Sequence, residues 1–266
     1  MPFNSILLVG CGNMAGAMLR GWLAGGLEPE RFTVVDPAAP ELPPWVPRLP
    51  NLPAQGAFEA ILIGVKPQVL GEVAPQVVHL VGPDTVVFSI LAGVELAVLE
   101  RHFPQARAIV RVMPNLAAAL GKSPVALASN GDSVREAARE LMAPLGTPEW
   151  IDESEFDLVT ALAGSGPAFV YRFIDALGNA ALELGLPADK AGRLALAMVE
   201  GAAALAAESE VGPGELARRV ASPGGTTQAG LDVLDHEGRL HRLVLDTLRA
   251  ARDRSAEMAA EARAKG

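Results

Sequence analysis

The sequence holds a single cysteine, Cys11, among 266 residues. That excludes an internal disulfide and any cysteine-built structural zinc site, and it suits a reducing compartment. Aromatic residues are scarce: one tyrosine, three tryptophans and eight phenylalanines make up 5% of the chain. The core must therefore be assembled from Ala, Val and Leu. Positive charge is in deficit, with 22 Lys and Arg against 31 Asp and Glu and a net charge of −9. Nucleic acids and anionic membranes both demand clustered cations, so neither is expected as a partner. Long apolar runs are missing too, although mean hydropathy is +0.27. The uncharged stretch from residue 158 to 171 carries Gly-Ser-Gly-Pro and falls short of the roughly 20 residues a membrane span requires. Residues 6–9 are too brief for a signal-peptide core, and no Lys or Arg precedes them. A cytoplasmic protein is expected.

What is present is a globular composition, 50% apolar and 20% charged, in a length that suits two modest domains. The first half alternates short apolar runs with helical patterns, the signature of an α/β fold with a doubly wound parallel sheet. Strands are expected at 6–9, 33–35, 60–65, 86–90, 108–112 and 125–128, with helices at 13–24, 68–80, 96–102 and 133–142. From about Ser154 the β-branched runs give way to Ala- and Leu-rich helices, one at 188–208 and one at 239–262. The latter carries an apolar stripe at Leu240, Val244, Leu248, Ala251, Ser255, Met258 and Ala262. So little aromatic mass in this half suggests burial by a partner subunit. The expected division is residues 1–153, α/β, and residues 154–266, all-α.

One segment breaks the alternation. Prolines stand at 37, 40, 43, 44, 47, 50 and 53, mostly three residues apart. No helix survives that spacing, whereas polyproline II has three residues per turn. An extended loop is expected where a doubly wound fold would place its second crossover helix.

Gly10-Cys11-Gly12-Asn13-Met14-Ala15 follows the first strand and opens the first helix. Gly10 permits a tight turn, Gly12 lets a pyrophosphate approach the backbone, and Ala15 lets the helix sit close on the sheet. The helix N-terminus adds free N–H groups for the phosphates. A structural Gly-rich turn is the competing reading. Asp36, 26 positions after Gly10, ends the second strand where a carboxylate accepts bonds from the adenosine ribose. It repels a 2′-phosphate, and no Lys or Arg follows until Arg48, so NADH is favoured over NADPH. Asp36 can equally open an Asp-Pro turn.

The reaction class is narrowed by what is missing. Tyr171 is followed four residues later by Asp175, so a Tyr-x-x-x-Lys acid/base pair is absent. The four histidines, at 79, 102, 236 and 241, have no metal-ligand spacing. No metal is expected. The Gly164-Ser165-Gly166 turn is like that of β-hydroxyacid dehydrogenases, yet Val170 stands where those enzymes carry their catalytic Lys. A second informative stretch is Ser222-Pro223-Gly224-Gly225-Thr226-Thr227, followed by a helix that Gly238 ends. Bare amides and hydroxyls at a helix N-terminus receive a carboxylate or another small anion. An ordinary helix cap would use the same residues.

Six stretches occur together and in order. They are Gly10-Cys11-Gly12-Asn13-Met14, Val65-Lys66-Pro67, Ser89-Ile90-Leu91-Ala92-Gly93-Val94, Arg111-Val112-Met113-Pro114-Asn115, Gly164-Ser165-Gly166-Pro167-Ala168-Phe169 and Ser222-Pro223-Gly224-Gly225-Thr226-Thr227. Together they resemble the Δ1-pyrroline-5-carboxylate reductase family over nearly the whole chain. The resemblance implies a Rossmann-type domain followed by an all-α dimerisation domain, and reduction of a cyclic imino acid to L-proline by NADH or NADPH. It implies that Ser222, Gly224, Gly225 and Thr226 hold the substrate carboxylate and that Thr227 places its hydroxyl on the ring nitrogen. Val65, Lys66, Pro67, Met113, Pro114 and Asn115 would line the nicotinamide, although Lys66 can instead be a structural lysine bonding nearby carbonyls. The helical half would form an intertwined homodimer, and dimers can assemble into larger rings. Family members usually have a helix where this chain has its prolines, which bears on the adenosine contacts. Two alternatives remain: a related reductase of another small acid, and a non-catalytic dinucleotide-binding regulator.

Overall fold

Each apolar run of the first half becomes a strand because helices cover it from both sides. The computed structural model describes residues 2–38 and 42–265. One sheet contains β1 (Ile6–Val9), β2 (Phe32–Val35), β3 (Arg48–Leu49), β4 (Ala60–Ile63), β5 (Val86–Ser89), β6 (Ala108–Met113), β7 (Ser123–Ser129) and β8 (Gly146–Trp150). Their order is β3-β2-β1-β4-β5-β6-β7-β8, and neighbours run parallel except β6 with β7. Five helices accompany the strands: α1 (Asn13–Ala24), α2 (Leu70–Val77), α3 (Leu96–His102), α4 (Arg135–Met142) and α5 (Phe156–Val159). Successive strand residues point to opposite sides. Leu8, Leu62, Phe88 and Val110 pack in one cluster with α1 and α4. Leu7, Ile61, Val87 and Ile109 pack in the other with α2, α3 and α5. This is a doubly wound α/β sheet.

The structure adds two strands to the six expected. β3 is a two-residue strand inside the proline segment, too short for any apolar pattern to announce it. β8 contains Gly146 and Pro148, residues that argue against a strand and are tolerated at the sheet edge. Two expected helices, 68–80 and 133–142, each consist of a short α-helix flanked by 3₁₀ turns. Among the described residues between β2 and β3 there is no helix, as the prolines dictate. Residues 39–41, Pro40 among them, lie outside the described residues. Parallel neighbours need a connection of about a dozen residues, usually with a helix in it. Here the span from 36 to 47 makes that connection without one in its described part.

Contacts along the chain define two units, residues 1–165 with 249–266, and residues 166–248. The second is all helix: α6 (Gly166–Glu183), α7 (Ala188–Glu208), α8 (Pro213–Val220), α9 (Thr226–Asp235) and the start of α10 (Arg239–Lys265). Within it only Gly178, Ala191 and Ala195 are buried among the described residues. Val170, Phe173, Leu194, Met198 and Leu205 are exposed. The units therefore divide at residue 165, where 153 was expected, and the last 18 residues rejoin the first unit. Phe156 is the reason for the first difference, since it is buried in the sheet's second cluster. For the second, Ser255 Oγ donates to Asp157 Oδ1 at 2.7 Å and Arg263 pairs with Glu95.

A buried ion pair ties the end of this unit to its sheet. Arg111 on β6 is 4% exposed and lies 4.0 Å from the centre of the Phe156 ring. Its Nη1 donates to Glu153 Oε1 at 2.8 Å, and the same oxygen accepts the Leu96 N–H at 2.7 Å. Removing Glu153 would strand a guanidinium away from water. Breaking a buried pair costs about 3–5 kcal/mol, and a partner that is 34% exposed sets the value at the lower end. Glu153→Ala is therefore expected to lower the urea unfolding free energy by about 3 kcal/mol at fixed protein concentration. A loss below about 1 kcal/mol would show that solvent, not Glu153, satisfies Arg111.

Candidate active site

After Val9 the chain must turn over the sheet edge before α1 can start. Gly10 makes the turn at φ +84°, where an L side chain is strained. A Cβ there would also lie 2.8 Å from Val65 Cγ1 and 2.9 Å from the Gly64 carbonyl carbon. The Gly10 N–H donates to the Val35 carbonyl at 2.9 Å, and the Gly64 N–H donates to the Val9 carbonyl at 2.8 Å. These bonds draw the carboxyl ends of β2, β1 and β4 together. Gly12 caps α1 without a side-chain hydrogen bond, and a Cβ on it would meet nothing within 4 Å. Open space thus stands before a helix N-terminus whose first N–H groups have no intrahelical acceptor.

A cleft of about 470 Å³ opens at this edge. Gly10, Gly12, Asp36, Val65 and Lys66 line one part of it, and Pro50, Asn51 and Leu52 of the proline segment line another. Asn13, Met14 and Ala15 form the first turn of α1, with Ala15 buried. The residues fit a dinucleotide: a pyrophosphate needs bare amides, positive helix-end potential and room, and all three are present. Asp36 Oδ2 accepts the Cys11 N–H at 2.7 Å and Oδ1 accepts the Ala38 N–H at 2.8 Å. Each oxygen keeps a lone pair for a ribose hydroxyl. Lys66 is exposed, and among the described residues its ammonium has no recorded hydrogen bond or ion pair to a carbonyl or carboxylate.

Other residues assigned from the sequence lie elsewhere. Pro67 lines a separate small pocket, with Gln68 and Met258. Met113, Pro114 and Asn115 are buried and do not line the cleft. The Asn115 side chain has structural work: Oδ1 accepts the Ala117 N–H at 2.9 Å, and Nδ2 donates to the Ala163 carbonyl at 3.0 Å. That carbonyl belongs to a π-helical turn, Thr160–Gly164. In the second unit, Gly224 adopts φ +71° and the Gly225 N–H donates to the Ser222 carbonyl at 2.9 Å. Gly225 caps α9 with no side-chain hydrogen bond. Ser222, Thr226 and Thr227 are exposed. Hydroxyls and unsatisfied amides thus share one helix end.

The sequence pointed to Arg48 only as the first cation after Asp36, and Gly64 and the Pro50–Leu52 wall were not anticipated from it. Gly64 had a legible signal: it follows an apolar strand, and a Cβ on it would meet the Gly10 oxygen at 2.7 Å. The Pro50–Leu52 wall had none, because its place depends on how the proline segment folds back.

A doubly wound sheet with this glycine turn and cleft defines a dinucleotide-dependent oxidoreductase. The comparisons narrow the class. Residues 153–258 match a family described as pyrroline-5-carboxylate reductase dimerisation. Residues 5–93 match one described as NADP oxidoreductase coenzyme F420-dependent. The chain is 35% identical to a pyrroline-5-carboxylate reductase of Pseudomonas aeruginosa, covering 97% of this chain and 98% of that one. The structure of a pyrroline-5-carboxylate reductase from Coxiella burnetii superposes with a TM-score of 0.87 at 29% identity, over 97% and 99% of the two chains. A Plasmodium falciparum pyrroline carboxylate reductase with NADP bound shares the fold, with a TM-score of 0.81 at 24% identity over 96% and 98%. The chain belongs to the pyrroline-5-carboxylate reductase family.

Cys11 sits inside the glycine turn with no exposed surface. Burial and then the Asp36 charge push its thiol up from 9.0 to about 11, against a smaller pull from Arg20 and Arg48. The folded value lies above the unfolded one, so protonation favours the native state below about pH 9 and that advantage fades toward pH 11. Iodoacetamide at pH 8 is expected to leave Cys11 unmodified in the native protein and to label it in urea, read by intact mass. Native labelling at the unfolded rate would overturn this.

Proposed function

We propose that this protein reduces Δ1-pyrroline-5-carboxylate to L-proline with NADH or NADPH, the last step of proline biosynthesis. The observation that carries the reading is the pairing of chemistries in one chain: a dinucleotide cleft at one sheet edge and an uncapped anion-receiving helix end at Ser222–Thr227. Bound in the cleft, NAD(P)H supplies the hydride. The substrate is an anion and the protein carries −9, so affinity must come from local potential. Gly224 and Thr226 offer that potential through their amides, with the Ser222 hydroxyl beside them, and Gly225, its N–H held by the Ser222 carbonyl, shapes the turn that presents them. Hydride addition to the imine carbon moves the C=N electron pair onto nitrogen, which takes its proton from solvent water to end as the amine. Thr227 orients that nitrogen by a hydrogen bond; a hydroxyl is too weak an acid to supply the proton outright.

The absence of a core in the helical unit supports a homodimer. Leu194, Met198 and Leu205 need apolar cover that their own chain does not give them, and a second copy gives it. Larger rings built from such dimers are part of the same proposal. So is a cytoplasmic setting, supported by the lone buried thiol and by the fact that no helix among the described residues is long and apolar enough to cross a membrane.

Two assays test this reading. Thr227→Ala is expected to lower kcat by about 10–100-fold, the worth of one hydrogen bond strengthened in the transition state, with a smaller change in KM. Unchanged turnover would remove the role given to Thr227. NADH is expected to give a higher kcat/KM than NADPH, because Asp36 accepts from a ribose and repels a phosphate. Equal or better use of NADPH would show that Asp36 does not set the preference.

A further inference from the structure

Asp36 does not stand alone at the end of β2. β3 pairs with β2 in the register Val34↔Arg48, so Arg48 and Val34 share a face of the sheet. Asp36 lies two residues beyond Val34, just past the end of β2. The Arg48 side chain runs along the sheet toward the nucleotide edge. Its Nη2 donates to the Asp36 carbonyl at 3.1 Å and to the Pro37 carbonyl at 3.4 Å. An exposed arginine is ordinarily mobile, and these two bonds tie this one to Asp36 and Pro37, two residues that line the cleft. Nη1 and Nε have no recorded partner among the described residues and remain available as donors. Pro47 and Pro50 flank the strand end, and their fixed φ limits the freedom of the segment.

We infer that Arg48 is a cofactor-specificity residue: its guanidinium, seated on the Asp36 and Pro37 carbonyls, receives the 2′-phosphate of NADPH and keeps that nucleotide usable at a site Asp36 biases toward NADH. The inference rests on the dinucleotide reading of the cleft and deepens it. Carboxylate and guanidinium at one ribose position divide the labour. The carboxylate accepts from the 2′-hydroxyl of NADH, and the planar, permanently charged fork donates to a phosphate. Lys66, a cation that lines the cleft, follows β4 and is separated from β2 by β1. The purely structural alternative is that Arg48 only fastens the proline segment. In that case both nucleotides would respond alike to its removal.

The test measures binding alone, by calorimetric titration of NAD+ and NADP+ with no imino acid present. In Arg48→Ala the ratio Kd(NADP+)/Kd(NAD+) is expected to rise about ten-fold or more, the worth of a charge-assisted contact. Arg48→Lys keeps a charge without the fork and is expected to raise it less. The wild-type protein supplies a second measurement that needs no variant to fold. If Arg48 meets the phosphate, adding KCl weakens NADP+ more steeply than NAD+. If only Asp36 faces it, salt screens repulsion and helps NADP+ relative to NAD+. A ratio within two-fold of wild type in Arg48→Ala, or a salt response of that second kind, overturns the inference. Failure of the pyrroline-5-carboxylate assay would leave these titrations standing, and a flat ratio would leave the reaction standing.

Discussion

The carboxyl ends of β2, β1 and β4 are bound together at a residue with no side chain. Gly10 donates to Val35, Gly64 donates to Val9, and the room a Cβ would need is filled by Val65 and the Gly64 backbone. This close packing sends the chain into α1 directly over the sheet edge and leaves the helix end bare. It also sets Cys11 so that its N–H meets Asp36. The bare amides of α1, the Asp36 carboxylate and the Val65-Lys66 wall therefore follow from one turn rather than from separate devices. Any residue but glycine would be strained at this φ and would force Val65 or the Gly64 backbone to shift.

A protein of net charge −9 that handles anions must confine its positive potential to particular places. Two of those places are helix ends, at Gly12 and Gly225, where the charge is a fraction spread over amides and no counter-charge has to be desolvated. The third is a side chain, Arg48, held by carbonyls next to a carboxylate. The small-residue composition has a parallel meaning. The α/β unit covers both faces of its sheet with its own helices, whereas the helical unit leaves Val170, Phe173 and Met198 open. One half is finished within the chain and the other is built for company.

How much of this was legible in the sequence varies with the range of the interaction that decides each element. Uninterrupted runs such as Ile6–Val9 announced central strands, and the limits of α1, α3, α7 and α9 agree with capping and periodicity read locally. The Gly-Cys-Gly turn and the Ser-Pro-Gly-Gly-Thr-Thr stretch were legible for the same reason, since backbone demands are written in neighbouring residues. β3 was not, because a two-residue strand exists only by pairing with β2. β8 was masked by its own Gly146 and Pro148. Asn115 was read as a site residue from its motif, yet its amide is spent on Ala117 and Ala163, the latter far along the chain. The proline spacing argued against a helix, and the described residues of the segment hold none, but it carried no hint that Pro50–Leu52 would wall the cleft.

The chain leaves the α/β unit at residue 165 and comes back to it at residue 249. Ala259 is buried there, and Ala262 packs on the second hydrophobic cluster. The helical unit is thus an insertion, not an appendage, and the nucleotide-binding unit is completed by a segment synthesised after that insertion. Domains generally fold in order as they emerge from the ribosome. This one cannot finish in that order: the sheet's second face waits for the C-terminal turns of α10 while the helical insertion is translated. Until then the apolar ground around Gly93 and Val94 stays uncovered, a demand on the cell that a simple two-domain tandem would not make.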